Sequence, residues 1–258
     1  GQDDDIIGGY GNDWLSGGTG NDGVIGDDGR ILTSRNAKSY GEALNGVVAL
    51  LPDNGDRKKA YSTATAFEHA GRTQIISPSA TESIAYDPDS GDVLWRVRHD
   101  GMNAAAKPLY AHGLVYIAAG SGPYSLIAVK PDGSGDVTDT HVEWGFSKSA
   151  PKRPSQIIIG DLMFMVNDDG VASCIDAKTA KVIWQKRIGG DYRASPILAD
   201  GKIYLFSQDG TSPVIEASDK FMLLAENKLD NGFQASPAIA GNSLYLRTIT
   251  DLYCIEGE

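Results

Sequence analysis

The sequence is poor in the residues that carry most enzyme and metal chemistry, with two cysteines and four histidines in 258 residues. Cys174 and Cys254 stand 80 positions apart. They make neither a disulfide framework nor a zinc site, which needs four ligands in short paired spacings. Both are expected to be small buried apolar residues held as free thiols. Basic charge is also scarce, 23 Lys and Arg against 34 Asp and Glu for a net charge of -11. A partner bound through its phosphate backbone requires the opposite balance, so nucleic acid is not expected. Long apolar runs are missing: the longest, Ile157 to Val166, is broken by Gly160 and Asp161, and a transmembrane helix is excluded. The opening Gly1-Gln2-Asp3-Asp4-Asp5 has neither the basic nor the apolar region of a secretion signal. Such a signal is expected to lie outside these residues or to have been removed. From Tyr61 onward a sustained 3.6-residue apolar period is lacking too, which favours an all-β class.

What is present is unevenly spread. Residues 1–56 hold ten acidic residues against three basic ones, Arg30, Arg35 and Lys38, and residues 1–55 hold 13 of the 31 glycines. Within this region Asp4, Asp13 and Asp22 recur every nine residues, as do Ile6, Leu15 and Val24, and the pairs Gly9/Gly18 and Gly11/Gly20 keep the same step. Glycine permits the positive φ of a tight turn whose carbonyls point inward, and aspartate adds the hard anionic oxygen that calcium takes.

Gly8-Gly9-Tyr10-Gly11-Asn12-Asp13-Trp14-Leu15-Ser16 and Gly17-Gly18-Thr19-Gly20-Asn21-Asp22-Gly23-Val24-Ile25 match G-G-x-G-x-D-x-U-x. The stretch resembles the RTX (haemolysin-type) calcium-binding repeat. That resemblance implies a short parallel β-roll over residues 1–36 in which one nonapeptide is half a coil. Turns two units apart then share an ion, with Asp4 and Asp22 flanking one calcium. The implied metal residues are Asp4, Gly9, Gly11, Asp13, Gly18, Gly20, Asp22 and Asp28. Gln2 departs from the pattern, and so does Ile31 in the aspartate column. Without metal the like-charged aspartates repel, and the alternative is a flexible Gly/Asp linker, so folding is expected to be coupled to the ion. Residues 37–60 fit neither repeat and form a linker of unassigned structure.

Residues 61–258 carry a second, longer repeat. Trp95, Trp144 and Trp184 share a column with Ala225, and twelve or thirteen residues later stand Pro108, Gln156, Pro196 and Pro237, stepping by 48, 40 and 41 residues. After each of these come a glycine turn, at Gly113, Gly160, Gly201 and Gly241, and a strand with an aromatic in one column: Tyr116, Phe164, Tyr204 and Tyr245. A repeat of about forty residues with several short strands each is the pattern of a β-propeller. The units Ala85-Tyr86-Asp87 to Trp95 and Ile175-Asp176-Ala177 to Trp184 resemble the PQQ-like repeat of quinoprotein dehydrogenases and outer-membrane assembly lipoproteins. The resemblance implies that the aspartate caps a turn between the last two strands of a blade and that the tryptophan packs on the next blade. Ala180 in place of the turn glycine, and Lys130 in place of the aspartate, imply less regular turns there.

The expected fold is therefore all-β: a short parallel RTX-like β-roll followed by a partial or small PQQ-like β-propeller of four to five blade units. A closed ring needs roughly four to eight blades. The alternatives are a fragment, a small ring completed by the tail strands, or a ring finished by a second chain, and open edges would self-associate. The repeat is a scaffold and does not by itself imply the quinone. Quinoprotein alcohol dehydrogenases resemble one another in an adjacent Cys-Cys pair, which this chain lacks, and its histidines share no spacing. PQQ is not expected to bind, calcium in the N-terminal repeats is the expected cofactor, and no catalytic residue is assigned. The loops between each tryptophan and the next anchor hold Arg98, His99, Asn103, Lys148, Arg153, Tyr192, Arg193 and Phe233. They are a candidate face for a protein or glycan-like ligand, against the plainer reading of solvated loops. The expectation is a non-catalytic extracytoplasmic (secreted, periplasmic or cell-envelope) binding or assembly module. A fragment of a periplasmic PQQ-dependent dehydrogenase is the alternative.

Overall fold

The computed structural model describes residues 60–257 apart from 100, 102–103 and 121–124, together with the backbone of two short strands near the start of the chain. Those two, β1 (Asp5–Ile7) and β2 (Gly23–Ile25), pair in parallel with Asp5 opposite Gly23, Ile6 opposite Val24 and Ile7 opposite Ile25. The chain divides into two compact units, Gly1–Arg57 and Lys58–Glu258. In the second unit every described regular element is a strand.

Its strands form consecutive small antiparallel sheets. Blade one is β3 (Thr65–His69), β4 (Arg72–Pro78), β5 (Glu82–Tyr86) and β6 (Val93–Arg98). Blade two is β7 (Leu109–Ala111), β8 (Leu114–Ala118), β9 (Leu126–Val129) and β11 (Val142–Phe146), with β10 (Gly135–Asp136) lent to blade one. Blade three is β12 (Ile157–Ile159), β13 (Leu162–Val166), β14 (Val171–Asp176) and β15 (Val182–Arg187). Blade four is β16 (Ile197–Ala199), β17 (Lys202–Tyr204), β18 (Thr211–Glu216) and β19 (Leu223–Lys228). Blade five has three described strands, β20 (Ala238–Ala240), β21 (Ser243–Arg247) and β22 (Leu252–Glu256).

The tryptophan column is a register column. Trp95 lies opposite Ala85, Trp144 opposite Ala128 and Trp184 opposite Cys174, each next to a one-residue bulge in the fourth strand, and Ala225 lies opposite Val214 beside the same bulge. A small or medium partner leaves room for the indole, and the bulge re-aims it toward the next sheet. Trp144 Nε1 donates to Ala177 O at 3.2 Å and Trp184 Nε1 to Ser218 O at 3.1 Å, both in the following blade. The acidic turn behaves as its sequence implies: Asp176 Oδ1 accepts the backbone N–H groups of Lys178 and Thr179. Ala180 takes the left-handed φ of 58° where Gly91 takes 75°, so alanine there carries the strain that glycine avoids.

Blades are tied at the start of their first strands by a ladder that repeats with the sequence. Lys107 N donates to Ser155 Oγ, Ser155 N to Ser195 Oγ and Ser195 N to Ser236 Oγ, all within 3.0 Å. Between the sheets lie apolar layers. Phe67, Trp95, Val97, Val115, Ile117 and Val129 fill the first junction, and Phe164, Val166, Cys174, Tyr192, Ile203 and Ile215 the third. The fourth is held by Ala194, Phe206, Phe233 and Leu246. Ala225 offers no indole to cover blade five there, and Ile239 and Ile255, which share a face with Leu244, remain 47% exposed.

The cysteines require a correction. Cys174 faces Phe164 and Cys254 faces Tyr245 in matching registers, so they share a column, but only Cys174 is buried and Cys254 is exposed. Burial in this fold comes from the next sheet, and among the described residues none covers the far face of blade five. Burial also pushes the Cys174 thiol up to about 12, which keeps it protonated and unreactive. The native protein should therefore give one fast thiol with a maleimide at pH 8 and the second only in denaturant. Two fast thiols would mean that the junction between blades three and four is open.

Candidate binding face

The loops that follow the fourth strands and those that join second to third strands meet at the blade junctions. Asn167-Asp168-Asp169-Gly170 turns β13 into β14, and Asn167 Oδ1 accepts the N–H groups of Asp169 and Val171, a side-chain turn that fixes where Asp168 points. The Asp168 carboxylate then accepts Lys152 N at 2.9 Å through Oδ2 and Arg153 Nη1 at 2.8 Å through Oδ1. Its carbonyl accepts Tyr192 N at 3.0 Å. One aspartate thus fastens the loop of blade two and the loop of blade three to the same turn.

Two polar clefts open there. One, of about 360 Å³, is lined by Ser125, Ser147, Ser149, Ala150, Lys152, Arg153 and Asn167 to Asp169. The other, of about 220 Å³, is lined by Arg153, Asp168, Asp169, Asp191, Tyr192, Arg193 and Gln208. They share Arg153, Asp168 and Asp169. Charges of both signs alternate along this stretch: Lys152, Arg153 and Arg193 against Asp168, Asp169 and Asp191. Arg153 is neutralised by Asp168, whereas no ion pair is formed by Lys152 or Arg193 among the described residues.

The structure brings Arg153, Tyr192 and Arg193 together and leaves the other candidates apart. Arg98 sits at the end of β6, 3.2 Å from Asp136, and Lys148 is exposed in the loop after β11. His99 and Phe233 are not on a face at all, and Tyr192, though it lines the second cleft, is 1% exposed. His99 is buried with Nε2 2.9 Å from Ser83 Oγ. Tyr192 is buried in the third junction, where loss of solvent pushes its phenol up, and Phe233 is buried edge-on against Phe206 with ring centroids 5.3 Å apart. The physical reason is common to both aromatics: each loop returns as a single β-bridge, Tyr192 to Ser207 and Phe233 to Thr248, and the ring fills the space beneath it.

Asn103 lies outside the described residues, as do the expected calcium residues Asp4, Gly9, Gly11, Asp13, Gly18, Gly20, Asp22 and Asp28. Among the described residues no group of three or more His, Cys, Asp or Glu is placed to hold a metal ion, and no helix is long and apolar enough to cross a membrane. Asp168, Asp169 and Gln208 are cleft residues that the tryptophan-to-anchor loops do not contain. Their signal is the Asn167-Asp168-Asp169-Gly170 turn and its echo, Ser207-Gln208-Asp209-Gly210.

Residues 27–256 match the family described as outer membrane protein assembly factor BamB. The match takes in residues 37–60, which the repeats leave unassigned. No curated protein matches the chain significantly. Among solved structures, BamB from Moraxella catarrhalis is similar at 14% identity and a TM-score of 0.58, over 76% of this chain and 59% of that one. The β-propeller domain of Cps50 (Swd1) from Myceliophteria thermophila is similar at 17% identity and a TM-score of 0.53, over 77% and 69%. The computationally designed Ika8 protein is similar at 12% identity and 0.53, over 76% and 58%. The chain thus spans about three fifths of the length of the first of these, and the likenesses show the propeller fold.

Proposed function

The chain belongs to the outer membrane protein assembly factor BamB family, and from that premise we propose that it is a non-catalytic extracytoplasmic scaffold that docks a protein partner on its loop face. The observation that carries this reading is the pair of joined clefts around Asp168, where the side chains of Lys152 and Arg193 form no ion pair among the described residues and Asp169 and Asp191 stand beside them. Alternating charges set on rigid blades suit a polar loop of a partner, giving register and rate of association more than raw affinity. Arg193→Glu combined with Lys152→Glu should weaken co-purification with outer-membrane assembly partners roughly tenfold and leave the melting temperature unchanged. Unchanged capture would remove the clefts from the interface. Turnover of an alcohol or sugar with added quinone and calcium would overturn the non-catalytic reading in favour of a quinoprotein fragment. An acidic oligosaccharide that competes at these clefts would overturn the choice of a protein as the ligand.

We further propose that the N-terminal repeats bind calcium as an RTX-like roll. What supports this is the step of the β1–β2 pairing. Asp5 meets Gly23 and Ile7 meets Ile25, two nonapeptides apart, which is the stacking step of a coil whose half-turns are nine residues long. Asp4 and Asp22 immediately precede the two paired strands in sequence and would supply the anionic oxygens; calcium would supply the charge that lets them approach. Millimolar calcium, the range of extracellular modules, should change the circular dichroism and evolve heat in the intact chain, with Asp22→Ala weakening both. Absence of any calcium heat would sink the claim.

A further inference from the structure

Fourth strands are the free edges of these sheets, and the chain covers one of them itself. The extra residues in the 48-residue step form β10, which pairs in parallel with β6 through Gly135 opposite Trp95 and Asp136 opposite Arg96. Val137 N donates to Arg96 O at 2.9 Å. The Val137 side chain is 1% exposed in the layer that holds Trp95 and Val129. Arg98 N donates to Thr138 Oγ1 at 2.9 Å, and Arg98 Nε lies 3.2 Å from Asp136. The covered edge therefore takes an extended segment of the order small, acidic, β-branched, hydroxyl.

The edge of blade four has the same geometry and no cover among the described residues. Ala225, Glu226 and Lys228 stand where Trp95, Arg96 and Arg98 stand in blade one. All six residues of β19 are exposed. Met222, Leu223 and Leu224 form a continuous apolar run at 50%, 47% and 43% exposure, free of proline and followed by one charge of each sign, Glu226 and Lys228. β15 differs in that its tryptophan, which donates to Ser218 O, fills the junction; both edges end in charge, Lys186 and Arg187 in β15, Glu226 and Lys228 in β19. Beside β19 the missing indole leaves Ile255 of blade five exposed.

We propose that the β19 edge accepts a strand from a partner protein, an extended segment that pairs in parallel with Ala225–Lys228. It sets one β-branched apolar side chain into the space beside Ala225 and Ile255, as Val137 does on blade one. Lys228 occupies the position of Arg98, but Glu226 occupies that of Arg96 opposite Asp136, so the segment carries a neutral hydrogen-bonding residue such as asparagine just before the apolar one, which avoids like charges in register. This surface is distinct from the loop clefts and extends the docking role to backbone recognition by strand addition.

The test uses the full chain and a labelled peptide with the sequence of residues 132–141 of this protein carrying Asp136→Asn, blade one being already occupied by its own copy. The peptide should slow amide exchange at Glu226 to Lys228 and leave Arg96 to Arg98 unaffected. Aspartate at the Val137 position of the peptide should weaken binding roughly tenfold, the usual cost of losing a buried apolar anchor. Ala225→Trp, which closes the space, should do the same, and the peptide variant keeps the test independent of how that substitution folds. No slowing with about 1 mM peptide, a weak-binding ceiling, equal binding of the aspartate peptide, or protection that rises with protein concentration without peptide would each overturn the proposal. The last would assign the edge to a second copy of the chain.

Discussion

Trp95→Ala is expected to lower stability by about 3–5 kcal/mol, the range for deleting a large buried aromatic. Trp95 is fully buried, and its Nε1 donates to Gln74 Oε1 at 2.7 Å while Gln74 Nε2 donates to Pro131 O at 3.0 Å in blade two. The buried Gln74 amide thus relays the indole bond across the junction, a link that Trp144 and Trp184 make directly. Removing the indole leaves both a cavity and a buried acceptor without its donor, and the second adds about 1–3 kcal/mol unless water enters. Trp95→Phe separates the two, since it keeps most of the packing and loses only the donor. Trp144 and Trp184 are half-buried, so their truncation should cost less than that of Trp95. Urea midpoints with an unchanged slope would measure this. Glu226→Ala, on an exposed strand beside the alanine column, should change little. Equal tolerance at Trp95 and Glu226 would remove the physical basis of the repeat.

The repeat was legible because each of its marks answers to one backbone event. The tryptophan marks a bulge, the aspartate a side-chain-capped turn, the serine before the anchor an inter-blade hydrogen bond. Departures from the columns are legible as well, though their meaning is not. Gln156 stands in the proline column, and the structure buries its amide with neither Nε2 nor Oε1 partnered among the described residues. The 48-residue step is visible as a number, yet nothing in Pro131 to Thr140 announces that it returns to cover the edge of blade one. Cys254 and Tyr192 show the complementary limit. A residue's column gives the direction of its side chain within its sheet, but burial depends on whether another sheet or a returning loop lies over it. The candidate site was half visible for the same reason: basic loop residues are read locally, whereas Asp168 becomes part of the site only when two blades meet.

Gly170→Ala is expected to cost about 3 kcal/mol or more, the sum of a left-handed backbone and overlap with atoms that cannot move aside. Gly170 has φ of 75°, and a Cβ built there would overlap the carbonyl oxygens of Gly189 and Gly190, which are backbone. Its own carbonyl accepts Ile188 N at 2.9 Å, so the loop cannot retreat without losing that bond. Gly71→Ala provides the control: φ is 77° and the space around its Cβ is open, so only the conformational cost remains, about 1–2 kcal/mol. The difference between the two substitutions isolates the close approach. A functional consequence follows, because Gly170 closes the turn whose Asn167 and Asp168 side chains hold the clefts together. In Gly170→Ala the Lys152 amide, donated to Asp168 Oδ2, should exchange faster than in the wild type, and docking on the loop face should weaken in step. In Gly71→Ala neither should change. If both glycine variants lose the same stability and neither alters the Lys152 amide, the packing of the turn against the 189–190 loop does not position this site.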